Sequence, residues 1–238
     1  MPGVFAGCAE QIRDSFVRAE PAALLSFLPF RPTGLLASDI LGGAEADVFV
    51  SANWQYMDDL RRAGLVHEPR VIARNRLCIV VAAEHAGTIA GLADLAKPGV
   101  RVVTPQSGTD PCGQYVQSLF ARAGIAAAMA AKETAGEHVR SSGSGDLPRI
   151  LAEGIAVAGV LYLSEAVSIP GVEVVRLPSA FDMADTIVFT IGAVGRPEPV
   201  LLARRFVDHM TSAKGQELLH RQGMLPAAAA TATGRAAR

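Results

Sequence analysis

The chain is short of the residues that build most active sites. It has three cysteines (Cys8, Cys78 and Cys112) and five histidines in 238 residues. Three is an odd number, and their spacing matches no metal motif, so neither a disulfide framework nor a zinc site is expected. Cys78, inside Leu77-Cys78-Ile79-Val80-Val81, reads as core. His67, His85, His138, His209 and His220 are scattered and read as surface residues rather than metal ligands. No G-x-S-x-G elbow, Ser–His–Asp order or phosphate-cradling Walker sequence is present, which argues against an enzyme. Net charge is only −1, so no basic field recruits nucleic acid or anionic lipid. No apolar run reaches the roughly 20 residues needed to span a bilayer. Aromatics are sparse, and Trp54 and Tyr56 read as packing or cleft rim rather than as a base-stacking platform.

What the chain does have is apolar bulk, 50% of its residues, enough for one large domain or two small ones. Short apolar runs alternate with helical periodicity. Strands are expected at Val4–Gly7, Leu24–Phe30, Asp47–Val50, Val71–Ala83, Val100–Thr104, Val157–Leu163, Val172–Leu177 and Ala184–Val194. Helices are expected over Ala9–Glu20, Gly34–Leu41, Asn53–Ala63, Gly113–Ala123, Leu147–Glu153, Pro197–Met210 and Ala213–Arg221, several ending at glycine. This alternation predicts an α/β fold with mostly parallel sheets flanked by helices. The two long strands predict two lobes joined by two hinge crossings: residues 1–80 plus 187–226, and residues 81–186. The stretch 227–238 reads as a disordered tail.

Three stretches place small hydroxyl, thiol or glycine residues at expected helix starts: Phe5-Ala6-Gly7-Cys8, Arg31-Pro32-Thr33-Gly34, and Ser107-Gly108-Thr109-Asp110-Pro111-Cys112-Gly113. Helix starts carry unpaired N–H groups and partial positive charge. Several aimed at one point would hold an oxyanion without lysine or arginine. That pattern suggests a binder.

The run Gly43-Ala44-Glu45-Ala46-Asp47-Val48-Phe49-Val50-Ser51-Ala52, with Met57-Asp58-Asp59-Leu60 and Ala63-Gly64-Leu65-Val66, resembles a block of the periplasmic molybdate-binding proteins of ABC importers. Arg74-Asn75-Arg76-Leu77, Leu92–Val100 and Ala158–Ala166 resemble further blocks of that family, and Asp110-Pro111-Cys112-Gly113 resembles the DPCG segment of its tungstate-binding branch. The similarity spans nearly the whole chain. It implies a two-lobed periplasmic-binding-protein fold (type II) and no enzymatic activity. The implied ligand is molybdate or tungstate, with no cofactor. The implied partner is an ABC permease, with no nucleic acid and no membrane insertion, for a monomer in the periplasm. No export signal is read in the chain, and Cys8 suits a lipoprotein site only if the native start lies upstream of Met1.

In such a family the oxyanion is held by hydroxyls and backbone N–H groups of four segments and by a tyrosine. Carried over by motif, the ligand-binding positions are Cys8, Thr33, Cys112 through its N–H, Ser144 in the expanded Ser141–Gly145 stretch, and Tyr162. Cys8 stands where most members have serine. A thiol is the weaker donor, so either the ligand differs or the N–H groups of Cys8 and Ala9 make the contact. Asp110 has two readings: cap of the helix that starts at Pro111, or a carboxylate facing the bound metal centre. A sulfate, phosphate or carboxylate receptor of the same fold, or a cytoplasmic oxyanion-sensing module, would carry the same features.

Overall fold

The computed structural model describes residues 1–195 and 200–227, with Ser144 described by its backbone alone. The predicted tail therefore lies, after Ala227, outside the described residues, as do positions 197–199 of one predicted helix. The strands are β1 (Val48–Ser51), β2 (Val66–Arg74), β3 (Leu77–Ala82), β4 (Val102–Pro105), β5 (His138–Ser141), β6 (Ala158–Tyr162), β7 (Val172–Arg176), β8 (Val188–Val194) and β9 (Leu225–Pro226). The helices are α1 (Ala9–Ala19), α2 (Thr33–Leu41), α3 (Trp54–Arg62), α4 (Leu92–Leu95), α5 (Pro111–Arg122), α6 (Ala126–Thr134), α7 (Leu147–Ala152), α8 (Leu163–Ala166), α9 (Leu201–Thr211) and α10 (Ala213–Arg221).

They form a two-lobed α/β fold with one sheet in each half. The first sheet has the order β1-β8-β2-β9 and the second β5-β4-β6-β3-β7. The expectation of mostly parallel sheets is corrected here. Every described pairing in the first sheet is antiparallel. In the second, β4 runs parallel to β5 and β6, but β3 is antiparallel to β6 and β7. The reason is topological. β8 returns from the far half and inserts between β1 and β2, opposite in direction to both, and strand–helix alternation along the chain carries no trace of that return.

The expected long strand from Val71 to Ala83 is two strands. It breaks at Asn75, which is 1% exposed. The Asn75 side chain donates to Ser164 Oγ (2.7 Å) and accepts the Arg76 N–H (2.9 Å), while its own N–H donates to Ile187 O (3.1 Å). These bonds pull Asn75 out of either ladder and tie the two chain crossings together. The ion pairs Arg74–Asp185 (2.7 Å) and Arg76–Asp182 (2.9 Å) cross-link the same region.

Two expected N-terminal strands are absent. Gly3–Cys8 is a 3-10 helix whose Phe5 is fully buried against Phe189, ring centroids 5.5 Å apart. A four-residue apolar run does not distinguish strand from tight helix, and here local bonds such as Phe5 N–H to Pro2 O satisfy the backbone. Leu24–Phe30 has no regular structure; Leu24 is fully exposed and Phe27 stacks on Phe30. The segment lies beside the edge strand β1 without joining its ladder, and Pro29 within it lacks the N–H a ladder needs.

The main core runs continuously from Phe5, Ile12 and Phe16 through Ile72 and Ile79 to Leu119 and Val160. β3 is buried along its whole length, as expected of a strand covered on both faces. Cys78 sits there, a packing residue as its sequence context suggested.

Candidate functional site

Helix starts and strand ends from both halves meet at one cavity of about 290 Å³. A water's share of liquid volume is about 30 Å³, so the space admits a small polyatomic ion. Its walls come from the N-terminal 3-10 turn, the start of α2, Ala52 after β1, the start of α5, the 142–146 segment and Tyr162 at the end of β6.

Three predicted residues meet there: Thr33, Asp110 and Tyr162. Thr33 opens α2 and is fully buried. Its Oγ1 accepts the Ala52 N–H at 3.2 Å, so the hydroxyl hydrogen remains available to an occupant. Tyr162 is 2% exposed, and its ring is held edge-on to Phe189 and Tyr115. Its hydroxyl has no hydrogen-bond partner among the described residues. Burial pushes its pKa well above the ordinary phenol value, so it stays a donor.

Asp110 caps α5. Its Oδ1 accepts the Cys112 N–H at 2.9 Å, and Pro111 takes the first helical position. The cap and the cavity-facing placement are therefore both realised, because the carboxyl is 8% exposed and also lines the cavity. Burial raises its pKa to about 6, against the lowering effect of the Cys112 and Gly113 N–H groups. The sign of the pH dependence follows. The folded pKa lies above the ordinary 3.8, so this group's protonation stabilises the fold fully below about pH 3.8, and the contribution is lost as pH rises through about 6. Asp110→Asn keeps an N-capping side chain and removes the charge. In thermal melts it should be more stable than wild type at pH 8, by an amount of order 3 kcal/mol, with the gap closing towards pH 4. An unchanged gap across that range would refute the assignment.

Other predicted positions lie apart. Cys8 is 1% exposed and is not in the cavity lining. Its thiol donates to Phe5 O at 3.4 Å, and burial pushes its pKa to about 12. The alternative donor, Ala9 N–H, is taken by Ala6 O. The Cys112 N–H is directed at Asp110, and its thiol is wholly buried. Ser144 begins a 3-10 turn whose neighbours Gly143 and Gly145 line the cavity, but its side chain lies outside the described residues.

Sequence reasoning missed Ala52, Phe30, Arg31 and the Pro2–Val4 turn, all of which line the cavity. Arg31 adds a cation to a lining whose expected donors are uncharged. Its guanidinium pairs with Asp39 at 2.5 Å on the partly exposed rim, so its charge is compensated by a carboxylate of α2. Its place directly before Pro32-Thr33 was the available clue.

The two halves are stitched together beside the cavity. Gly34 N–H donates to Thr109 O (2.9 Å), Asn53 Nδ2 to Gln114 Oε1 (3.1 Å) and Gln114 Nε2 to the Tyr56 hydroxyl (3.0 Å). Gly34 is required for this approach: a β-carbon there would lie 2.8 Å from Thr109 O and 2.7 Å from the Tyr56 hydroxyl. Among the described residues no cluster of three or more His, Cys, Asp or Glu could hold a metal ion, and no helix is long and apolar enough to cross a membrane.

Comparison with known proteins gives the same direction. A curated relative, the molybdate-binding protein ModA of Mycobacterium bovis, is 33% identical over 215 residues, covering 90% of this chain and 78% of that protein. The fold matches the periplasmic molybdate-binding protein of Azotobacter vinelandii with a TM-score of 0.78 at 20% identity, over 94% of this chain and 96% of that one. It also matches the sulfate-binding protein SubI of Mycobacterium tuberculosis, TM-score 0.74 at 17% identity, over 92% and 84% of the two chains. The model of the family described as bacterial extracellular solute-binding protein matches residues 2–225. The chain thus belongs to the bacterial extracellular solute-binding proteins, a family of binders rather than enzymes.

Proposed function

We propose that this protein captures a small tetrahedral oxyanion, molybdate or tungstate, between its two lobes outside the cytoplasm and delivers it as a monomer to an ABC permease. The lobes are residues 1–80 with 187–226, and residues 81–186. The observation that carries the reading is the Tyr162 hydroxyl, buried and without a partner among the described residues, at the wall of a cavity that Thr33 also lines. Leaving a buried hydroxyl unsatisfied costs about 1–3 kcal/mol. An oxyanion offers only acceptors, so it relieves that cost and takes the Thr33 hydrogen as well. The likeness to ModA supports molybdate or tungstate as the cargo.

A second reading is a sulfate, phosphate or carboxylate receptor. Asp110 and Arg31 favour it, because a lining of neutral donors alone is not what the cavity presents. The likeness in fold to SubI is compatible with it.

Thermal melts with molybdate, tungstate, sulfate, phosphate and acetate separate these. A ligand at a thousand times its Kd stabilises by about 4 kcal/mol, a shift of roughly 8–16 °C for a chain of this size. Molybdate or tungstate should give the largest shift. Tyr162→Phe should weaken that binding about 10–100-fold while leaving the ligand-free melting temperature equal or higher, since the substitution removes an unsatisfied buried hydroxyl. No shift with any of the five anions would eliminate the proposal.

A further inference from the structure

Oxyanion capture, if Thr33 and Tyr162 hold the ion as proposed above, must contend with Asp110 in the same wall. Oδ1 is committed to the start of α5 through the Cys112 N–H. Oδ2 reaches towards the 142–146 segment, 3.6 Å from where a β-carbon on Gly143 would stand. Asp110 thus stands in the same cavity lining as Thr33 and Tyr162, where an ion held by those two residues would meet it.

We infer that Asp110 makes this a proton-coupled site: each fully ionised oxyanion is bound together with one proton, carried on Oδ2 of Asp110, which thereby becomes an O–H donor to the ion. The proton comes from solvent and leaves with the anion; no other bond is made or broken.

The surroundings support the assignment. From α5 itself, the Cys112 thiol is wholly buried and protonated. From β6, the Tyr162 phenol is held neutral by burial. From the start of α2, Arg31 is paired with Asp39. From the 142–146 segment, Asp146 accepts from the Ser142 hydroxyl. Beyond Tyr162, Glu165 on α8 adds negative charge that acts on both Tyr162 and Cys112. Among the described residues no histidine or lysine lines the cavity. Nothing facing Asp110 therefore neutralises it as a free cation would.

Magnitudes decide between repulsion and protonation. A carboxyl that titrates near 6 is protonated at pH 7 for only about a tenfold cost in population. A carboxylate against a dianion in a largely desolvated wall is disfavoured by far more than tenfold. Binding and protonation are therefore linked. Above the free-site pKa, affinity falls about tenfold for each unit rise in pH, and below it affinity levels off.

Calorimetry on the whole chain tests this, with molybdate and sulfate as probes in two buffers of different ionisation heat. Wild type should take up close to one proton per anion at pH 7.5, and its Kd should rise about tenfold from pH 7 to pH 8. Asp110→Asn, which still caps α5, should bind with no proton uptake and a flat Kd over the same range. Binding without proton uptake in wild type, or an Asn variant with the wild-type slope, overturns this inference and leaves oxyanion capture standing. Absence of binding heat from either anion at pH 6, 7 and 8 overturns both.

Discussion

Gly113→Ala is expected to lower the melting temperature by roughly 6–12 °C, the equivalent of about 3 kcal/mol or more, and to weaken anion binding at least tenfold. Gly113 is the third residue of α5, two places after Pro111. A β-carbon at this position would sit 2.5 Å from Pro105 O and from Gln106 C, and closer still to Gln106 O. All three are backbone atoms at the end of β4, so no rotamer change can clear them. The start of α5 must lift off the sheet, and it carries Asp110 and the Cys112 N–H with it. Structural and functional losses should therefore move together. A variant that melts normally and binds normally would show that α5 does not rest on β4 as described. Gly91→Ala is the matched control, because its β-carbon would meet nothing within 4 Å and the residue is outside the cavity lining.

Seven of the ten described helices were legible because their end signals are local, whereas α4, α6 and α8 were not expected. Asn53 caps α3 through the Tyr56 N–H, Asp110 caps α5, and Gly64 and Gly124 follow their helices with positive φ. Each signal lies within a few residues of what it controls. Strand direction was not legible. Whether β8 pairs with β1 and β2, and in which sense, is decided by a return of the chain over a hundred residues later. The break at Asn75 was hidden for a similar reason: its partners are Ser164 and Ile187, far along the chain.

The site divides the same way. Thr33, Asp110 and Tyr162, which share the cavity lining, each stand at an element boundary recognisable in its own short stretch. Cys8 was misplaced because the assumed strand before it is a 3-10 turn, and the turn delivers its thiol to Phe5 O. Ala52 was invisible for a deeper reason. Its N–H donates to Thr33 Oγ1, and a backbone N–H has no residue type to betray it.

That main-chain contact sets up the other large effect. Thr33→Val keeps the shape of the side chain and deletes only its hydroxyl. Thr33 is wholly buried and Ala52 is 3% exposed, so the Ala52 N–H loses its protein acceptor. The cost in stability should be about 1–3 kcal/mol, or roughly 2–12 °C in melting temperature. The same hydroxyl hydrogen would donate to the anion, a charge-assisted bond worth about 1.5–3 kcal/mol, so affinity should fall about 10–150-fold. Thr33→Ser restores the hydroxyl and should recover both quantities. The two readouts carry different information. Loss of stability with normal affinity would reduce Thr33 to a brace for the Ala52 segment and leave Tyr162 as the cavity's principal side-chain donor. Loss of both, with rescue by serine, means that one oxygen holds the β1 end in place and turns its hydrogen to the ligand, so the scaffold and the binding surface share an atom.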